Sequence, residues 1–262
     1  MLYKLLICII AGAGAGFGTG FAGLSAAVFI TPMLIAFLNV PSYEAVGIAL
    51  ASDVLASAIS AWTYSRDGKL DIKSSRTFMT LIILFAIIGS IIAYLLTSNT
   101  IGNTVFGYWT IIATVTLGIT FLIRSAGNEG KMPQALSAKR STLIALMGAF
   151  IGMICGFQGT GGGVWMLFSL TVIMEYEFKT AVGTSVFIMT FTALIGAIAH
   201  FYINGMPDML ILGVCMASTV IFARLAAKIA TKNSNTFLNK ATGITLIIAG
   251  IIMLLAKIFI RY

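Results

Sequence analysis

The chain has 262 residues, of which 59% are hydrophobic and only 9% are charged, and its mean hydropathy is +1.04. Soluble domains carry about 25% charged residues, so this composition excludes a water-soluble globular protein and indicates a chain surrounded mostly by lipid. The net charge of +8 does not indicate nucleic-acid binding, because the basic residues lie in loops between apolar runs, where membrane topology accounts for them.

Ten hydrophobic segments predict an all-α polytopic membrane protein. In chain order they cover about 4–20, 26–38, 43–65, 77–97, 104–124, 140–156, 163–174, 180–203, 209–229 and 240–259. Segments 26–38 and 163–174 are short for a hydrocarbon core about 30 Å thick. Each of these segments therefore forms, with the one before it, either two tilted spans or a hairpin that enters the membrane and returns, and the sequence leaves both open.

A glycine pattern occurs twice in the chain, 136 positions apart. The pattern Gly12, Gly16, Gly20, Phe21 and Gly23 recurs as Gly148, Gly152, Gly156, Phe157 and Gly159. Eleven of the 36 pairs from position 12 to position 47 are identical, where composition alone predicts roughly 3 or 4. We therefore predict a first transmembrane repeat at 1–124, a cytoplasmic linker at 125–139 and a second transmembrane repeat at 140–262.

The distribution of basic residues predicts the orientation. Thirteen of the sixteen Lys and Arg residues fall on one side of the ten segments, and positive loops mark the cytoplasmic side. Eight spans would give a weaker split of 11 to 5. We expect a multi-pass protein of the cell (inner) membrane with both termini outside and basic loops in the cytoplasm. Because five segments per repeat is an odd number, the repeats are expected to be inverted.

The glycines of the repeat have two predicted roles. Glycines four apart on the first segment of each repeat, Gly12 and Gly16 with Gly148 and Gly152, predict close helix packing in lipid. The stretches that follow, 20–25 and 156–163, break two helices at membrane depth, where only protein or a water-filled cavity can satisfy the backbone.

Each break also starts a new helix, and glycine-rich helix starts hold anions through backbone N–H groups. The alternative is that the two breaks are flexible packing kinks and do not bind substrate. The predicted substrate-binding residues of the two breaks are Gly20, Phe21, Gly23, Ser25, Gln158, Gly159, Thr160, Gly161, Gly162 and Gly163.

Two ionisable residues within the apolar segments are candidates for ion coupling. Asp53 lies near the middle of its segment, where an acid is costly and suggests function; it would carry a proton or bind Na⁺, or else hydrogen-bond a neighbouring helix. Ser57, Ser60 and Tyr64 share its helix face. His200, on the matching segment of the second repeat, is either a proton relay or an interfacial histidine.

No cofactor or metal is expected. The chain has no nucleotide-binding P-loop, and its one histidine and three cysteines show no metal-ligand spacing. An enzyme is disfavoured because the apolar segments pair no nucleophile with a base. Transport would then use an ion gradient or the gradient of the substrate itself.

Three duplicated features carry a family resemblance: the glycine-rich break, the run Ala181–Ser185, and Gly-x-x-Asp at 68–71 and 205–208. In this order they resemble the sulfite exporter TauE/SafE family from about residue 8 to residue 258. We interpret the Gly-x-x-Asp loops as helix caps. The resemblance implies a transporter of sulfite, sulfoacetate or related organosulfonates.

The first half departs from the family pattern. It has Gly23-Leu24-Ser25-Ala26 where a fuller glycine run is typical, and Ile48-Ala49 where the second half has Thr184-Ser185. This difference adds Thr184 and Ser185 to the predicted substrate-binding residues and predicts an asymmetric pocket.

The sequence thus predicts a secondary transporter of small sulfur-containing anions that works by alternating access with a proton or sodium gradient. The alternatives are an anion-selective channel and a carrier of another anion such as thiosulfate, with Cys155 as a contact. The expected partners are the anion, the lipid bilayer and H⁺ or Na⁺; a homodimer is left open.

Overall fold

The computed structural model describes residues 1–95, 112, 115–116, 118–120, 122–123, 138–158 and 162–259. These residues form helices joined by short loops, and no strand occurs among them. Five helices are long and apolar enough to cross a membrane: Leu2–Ala22, Glu44–Arg66, Ile72–Ile92, Phe178–Ile203 and Met209–Lys232. The prediction of an all-α polytopic membrane protein is confirmed.

Nine α-helices have defined bounds within the described ranges. They are α1 (Leu2–Ala22), α2 (Ala27–Leu38), α3 (Ser42–Arg66), α4 (Ile72–Leu95), α5 (Ala138–Gln158), α6 (Gly163–Phe168), α7 (Phe178–Asn204), α8 (Met209–Lys232) and α9 (Asn235–Phe259). Helix α6 continues into a π-helical turn, Ser169–Ile173. The described residues between 112 and 123 are also helical, whereas the rest of the predicted fifth segment and all of the predicted linker except residues 138–139 lie outside the described residues.

Two helices begin five residues earlier than hydrophobicity predicts. Helix α4 starts at Ile72 rather than 77, and α9 starts at Asn235 rather than 240. At the start of α4, the backbone N–H of Ser74 donates to Asp71 Oδ1 over 3.0 Å, so a cap opens a polar first turn ahead of the apolar stretch. The interpretation of the Gly-x-x-Asp loops as caps is confirmed at α8, where Asp208 accepts from the backbone N–H groups of Leu210 and Ile211.

The glycine stripe of α1, formed by Gly12, Gly16 and Gly20, packs against α8. A Cβ atom on Gly16 would lie 2.5 Å from the carbonyl oxygen of Thr219, and one on Gly20 would lie 2.5 Å from that of Ala223. Because both numbers increase together, the two helices run parallel. The spacing of four residues keeps every glycine on the contact face, and the backbones approach to a distance that only glycine permits.

The glycine stripe of α5 packs against α4 in the same manner, and this pair also runs parallel. The contacts join Gly148 to Phe78, Gly152 to Ile82 and Gly156 to Ala86. The predicted packing role of these glycines is therefore confirmed in both halves, and each stripe meets a helix from the other half of the chain.

Helices α3 and α7 form the centre and run antiparallel. Their contacts join Gly47 to Phe201, Ser57 to Thr190 and Tyr64 to Gly183. The duplicated Ala-Val-Gly motif thus lies at the start of each central helix, where its glycine meets an aromatic residue near the end of the other.

Local backbone structure recurs 136 positions apart. Asn39 and Glu175 both take the left-handed conformation, with φ of 51° and 57°. The next residue of each repeat, Val40 or Tyr176, donates its backbone N–H to the carbonyl of the residue six positions earlier, over 3.3 Å and 2.9 Å respectively. The two short helices therefore end in the same turn.

Candidate functional site

The first glycine break ends α1 with a left-handed glycine. Gly23 has φ of 62°, and its N–H and that of Leu24 donate to the carbonyls of Thr19 (2.9 Å) and Gly18 (3.1 Å). The Gly23 bond to Thr19, four residues earlier, is that of an αL cap. The Thr19 hydroxyl donates in turn to the Leu24 carbonyl over 2.8 Å, so protein groups satisfy both N–H groups and the carbonyl named here.

Tyr64 closes the same break from α3. Its side chain is fully buried, and its hydroxyl donates to the carbonyl oxygen of Gly20 over 2.9 Å. Gly20 therefore serves both the α8 contact and this bond. Phe21 is half-buried and stacks against Phe17, with ring centroids 6.1 Å apart.

The two breaks meet at Gly23. Its carbonyl oxygen lies against Gly163, the first residue of α6, so closely that a Cβ atom on Gly163 would overlap it. A Cβ atom on Gly23 would lie 2.6 Å from Ser185 Oγ. Three of the predicted substrate-binding residues, drawn from α1, α6 and α7, are thereby brought into contact.

The second break approaches α6 through Gly162, which is also left-handed with φ of 64°. A Cβ atom there would overlap Cys155 Sγ. Gln158 is the last residue of α5. Its side chain, and all of Gly159, Thr160 and Gly161, lie outside the described residues.

Asp53 reaches the start of α2. Its carboxyl group is fully buried beside the hydroxyls of Ser25 and Thr19 and the backbone N–H of Ala26. Within the described part of the chain, neither carboxyl oxygen completes a hydrogen bond of good geometry. Ser25 Oγ also accepts from the backbone N–H of Ala27 over 3.3 Å. A carboxyl group of this protein thus lies where the sequence predicted a substrate anion.

A polar line connects α3 to α7 beyond Asp53. Ser57 Oγ donates to the backbone carbonyl of Asp53 over 2.6 Å, and Thr190 Oγ1 donates to Ser57 Oγ over 3.0 Å. Ser60 is fully buried on the same helix, and its hydroxyl has no partner among the described residues. The predicted polar face of α3 therefore turns inward.

Thr184 points away from the breaks, unlike its neighbour Ser185. Its Oγ1 accepts the backbone N–H of Asp71 over 3.1 Å, at the loop between α3 and α4. Thr184 thus lies where α7 meets that loop.

His200 and Asp53, the two predicted ion-coupling residues, lie at different points along the central helices. His200 lines a pocket of about 110 Å³ at the start of α3 and the end of α7. The pocket is formed by Glu44, Gly47, His200, Phe201, Gly205, Met206 and Pro207. Glu44 Oε1 accepts the backbone N–H of Asp208 there over 2.8 Å. Gly47 contacts His200 and lies six residues before Asp53, about 9 Å along the helix.

A salt bridge that the sequence did not predict joins the two halves. Lys69 Nζ lies 2.8 Å from Glu177 Oε2, and Asn235 Nδ2 donates to Glu177 Oε1 over 3.2 Å. Burial alone would raise the pKa of Glu177, but the hydrogen bonds from Lys69 and Asn235 outweigh it and hold that pKa below its usual value. No spacing rule links residues so far apart in the chain.

Comparisons with known proteins agree on one family. The model of the family described as Sulfite exporter TauE/SafE matches residues 8–253. "Probable membrane transporter protein YdhB" of Bacillus subtilis (strain 168) is 25% identical over 236 residues, which cover 90% of this chain and 94% of that protein. "Probable membrane transporter protein YunE" of the same organism is 24% identical over 266 residues, covering 97% and 96%. No solved structure matches.

The family match extends over nearly the whole chain, and the named relatives are transporters rather than enzymes. The long apolar helices agree with a protein that crosses the membrane several times. The chain belongs to the sulfite exporter TauE/SafE family of membrane transporters.

Proposed function

We propose that this transporter moves small sulfur-containing anions such as sulfite, sulfoacetate or related organosulfonates, and that the anion binds where the two glycine breaks meet. The observation that carries the proposal is the contact of Gly23 with both Gly163 and Ser185. Two helix interruptions from different halves thus share one place, which is where transporters built from repeats bind substrate.

The second break supplies the anion donors in this proposal. The first N–H groups of a helix have no acceptor within it and carry partial positive charge. No side chain caps the start of α6 among the described residues, so its first N–H groups are the donors that the proposal assigns to the anion. The Ser185 hydroxyl, which donates to the Val182 carbonyl over 2.9 Å, would turn from that carbonyl to the anion. Gln158 and Thr160 remain predicted donors.

Alternating access follows from an inverted relation of the halves, which three observations support. Helices α1 and α4 of the first half correspond to α5 and α8 of the second. The contact of α1 with α8 therefore corresponds to the contact of α5 with α4, and both pairs run parallel. The central pair α3 and α7 exchanges into itself and runs antiparallel. Rocking of one half against the other would then open the site to each side in turn. In this proposal the protein lies in the cell membrane with both termini outside and the basic loops in the cytoplasm.

Counterflow in proteoliposomes tests the proposed carrier. Uptake of radiolabelled sulfite should accelerate when unlabelled sulfite is loaded inside, because a carrier returns faster with substrate bound. Competition by sulfoacetate and thiosulfate would rank the substrates. Protein-dependent flux that shows no acceleration and follows only the electrochemical gradient would favour the channel alternative. An absence of protein-dependent flux for all these anions would refute the substrate class.

Gly162→Val tests the location of the site. Valine is strained in the left-handed conformation and would overlap Cys155, so counterflow should be lost while the protein still reaches the membrane. Gly213→Val is the control, because a Cβ atom at Gly213 meets no atom within 4 Å. Full counterflow in Gly162→Val would refute the site.

A further inference from the structure

Asp53 stands out among the buried polar groups. It is fully buried, and its two carboxyl oxygens complete no hydrogen bond of good geometry in the described part of the chain. Its side chain extends from α3 to the start of the twelve-residue helix α2. Beside it lie two donors, the hydroxyl of Ser25 and the N–H of Ala26, and the hydroxyl of Thr19, whose proton is donated to the Leu24 carbonyl. The N–H groups at a helix start favour a negative group.

The matching position of the second half differs. Residue 189, which is 136 positions after Asp53, is a fully buried methionine. Its Sδ would lie 3.0 Å from a Cβ atom on Gly163, at the start of α6. One of the two helix starts is therefore served by a carboxyl group of the protein, and the other faces a thioether that brings no charge.

Among the residues that the structure describes, no charged side chain balances Asp53. Helix α2 carries no titratable residue, and the hydroxyl of Tyr64, on the same face of α3, is bonded to Gly20. The groups that surround the Asp53 carboxyl are uncharged. The other titratable groups on the helices that pack against α3, and on α3 itself, are Tyr3, Lys4, Cys8, Tyr43, Glu44, Arg66, Lys179, His200, Tyr202, Cys215, Arg224, Lys228 and Lys232.

We propose that Asp53 is the proton site of this transporter, and that its protonation admits the anion to the neighbouring break. This inference rests on the proposed function, since it concerns the same site. When it is ionised, the Asp53 carboxylate is the anion at the N-terminus of α2. Protonation of this carboxylate removes a negative charge close to the anion site at Gly163. The proton binds a carboxyl oxygen from the side where the anion enters and returns to water on the other side, so one proton accompanies one anion.

The expected coupling follows from the distance. Ser25, beside Asp53, is two residues from Gly23, which contacts Gly163, so the two charges lie roughly 8 Å apart. At an effective dielectric constant of about 20, ionised Asp53 would weaken binding of a monovalent anion about 30-fold. Anion affinity should rise by that factor as the pH falls through the titration of Asp53.

The first experiment measures the pH dependence of uptake in proteoliposomes. Methanesulfonate is the probe, because its own charge stays constant across the pH series, unlike that of sulfite. In the wild type, affinity should rise about 30-fold towards acid, and a pH gradient should drive accumulation. Asp53→Asn should bind with the acid affinity at every pH and keep counterflow without proton-driven accumulation. Asp67→Asn, at the exposed end of α3, should behave as the wild type.

The second experiment needs no substrate. Infrared spectra of the purified protein should show a protonated-carboxyl band that titrates in the wild type and is absent from Asp53→Asn. If Asp53→Asn does not fold, Ser25→Ala replaces it: losing a donor to the carboxylate should move both the band and the anion affinity to higher pH.

The outcomes separate this inference from the proposed function. A titrating Asp53 band without flux of any sulfur-containing anion would support the proton site and refute the proposed substrate class. Anion flux with the same band in wild type and Asp53→Asn would overturn the proton site alone. Accumulation driven by a sodium gradient, or proton-driven accumulation retained in Asp53→Asn, would also overturn it.

Discussion

The packing of α1 against α8 makes a quantitative prediction for Gly16→Ala. The new methyl carbon would lie 2.5 Å from the carbonyl oxygen of Thr219 and 2.7 Å from the backbone nitrogen of Ala223. Favourable contacts need about 3.5 Å, so α1 must move away by about 1 Å along much of its length. Overpacking of this kind costs about 1–3 kcal/mol, which corresponds to a lower unfolding midpoint by roughly 2–12 °C for a chain of this size.

Gly213→Ala is the matched control because it adds the same methyl group to α8 where no atom lies within 4 Å. Alanine favours a helix over glycine by about 1 kcal/mol, so this variant should melt at or slightly above the wild-type midpoint. Both proteins would be purified in the same detergent and followed by tryptophan fluorescence on heating. Equal midpoints for Gly16→Ala and Gly213→Ala would refute the close approach of the two helices.

Three further variants test the site and the contacts between the halves. Tyr64→Phe leaves the Gly20 carbonyl without its donor, which should cost about 1–3 kcal/mol; an unchanged unfolding midpoint would contradict this. Because the pKa of Glu177 is lowered, its pair with Lys69 stabilises fully above the ordinary carboxyl pKa and is lost as pH falls through the lowered value. Glu177→Gln should remove that acid-dependent loss from the unfolding midpoint, and identical pH profiles would exclude the contribution. Met189→Asp should weaken methanesulfonate binding about 30-fold or more at neutral pH, whereas Met189→Leu should leave it within about twofold; equal affinities in the two variants would place the anion elsewhere.

Helix identity and glycine packing could be predicted because each depends on one helix at a time. Hydropathy marks the stretch of α4 that lies in an apolar environment, and four-residue spacing places Gly12 and Gly16 on one face. The same property explains where hydropathy fell short: α4 begins at Ile72, in a polar turn opened by Asp71. A cap satisfies backbone donors regardless of whether the turn is apolar.

The partners of these groups could not be predicted, because they depend on which helices meet. Nothing in the spacing of Gly16 indicates that it faces Ala223, and nothing in the position of Asp53 indicates that it reaches the start of α2. Thr184 and Ser185 are adjacent, yet one holds the Asp71 loop and the other meets Gly23. A helix turns successive side chains by about 100°, so neighbours in sequence serve different surfaces.

The contact of α1 with α8 also bears on how the protein is made. Gly16 must reach Thr219 and Ala223, and a ribosome that adds about 5–20 residues per second needs about 10–40 s to cover that distance. During this interval the glycine stripe of α1 has no α8 to pack against and faces lipid or an insertion factor. The amino-terminal half is therefore an unfinished product during synthesis, and its maturation depends on the last third of the polypeptide. A truncated translation product would expose the same stripe permanently and present membrane quality control with a recognisable defect.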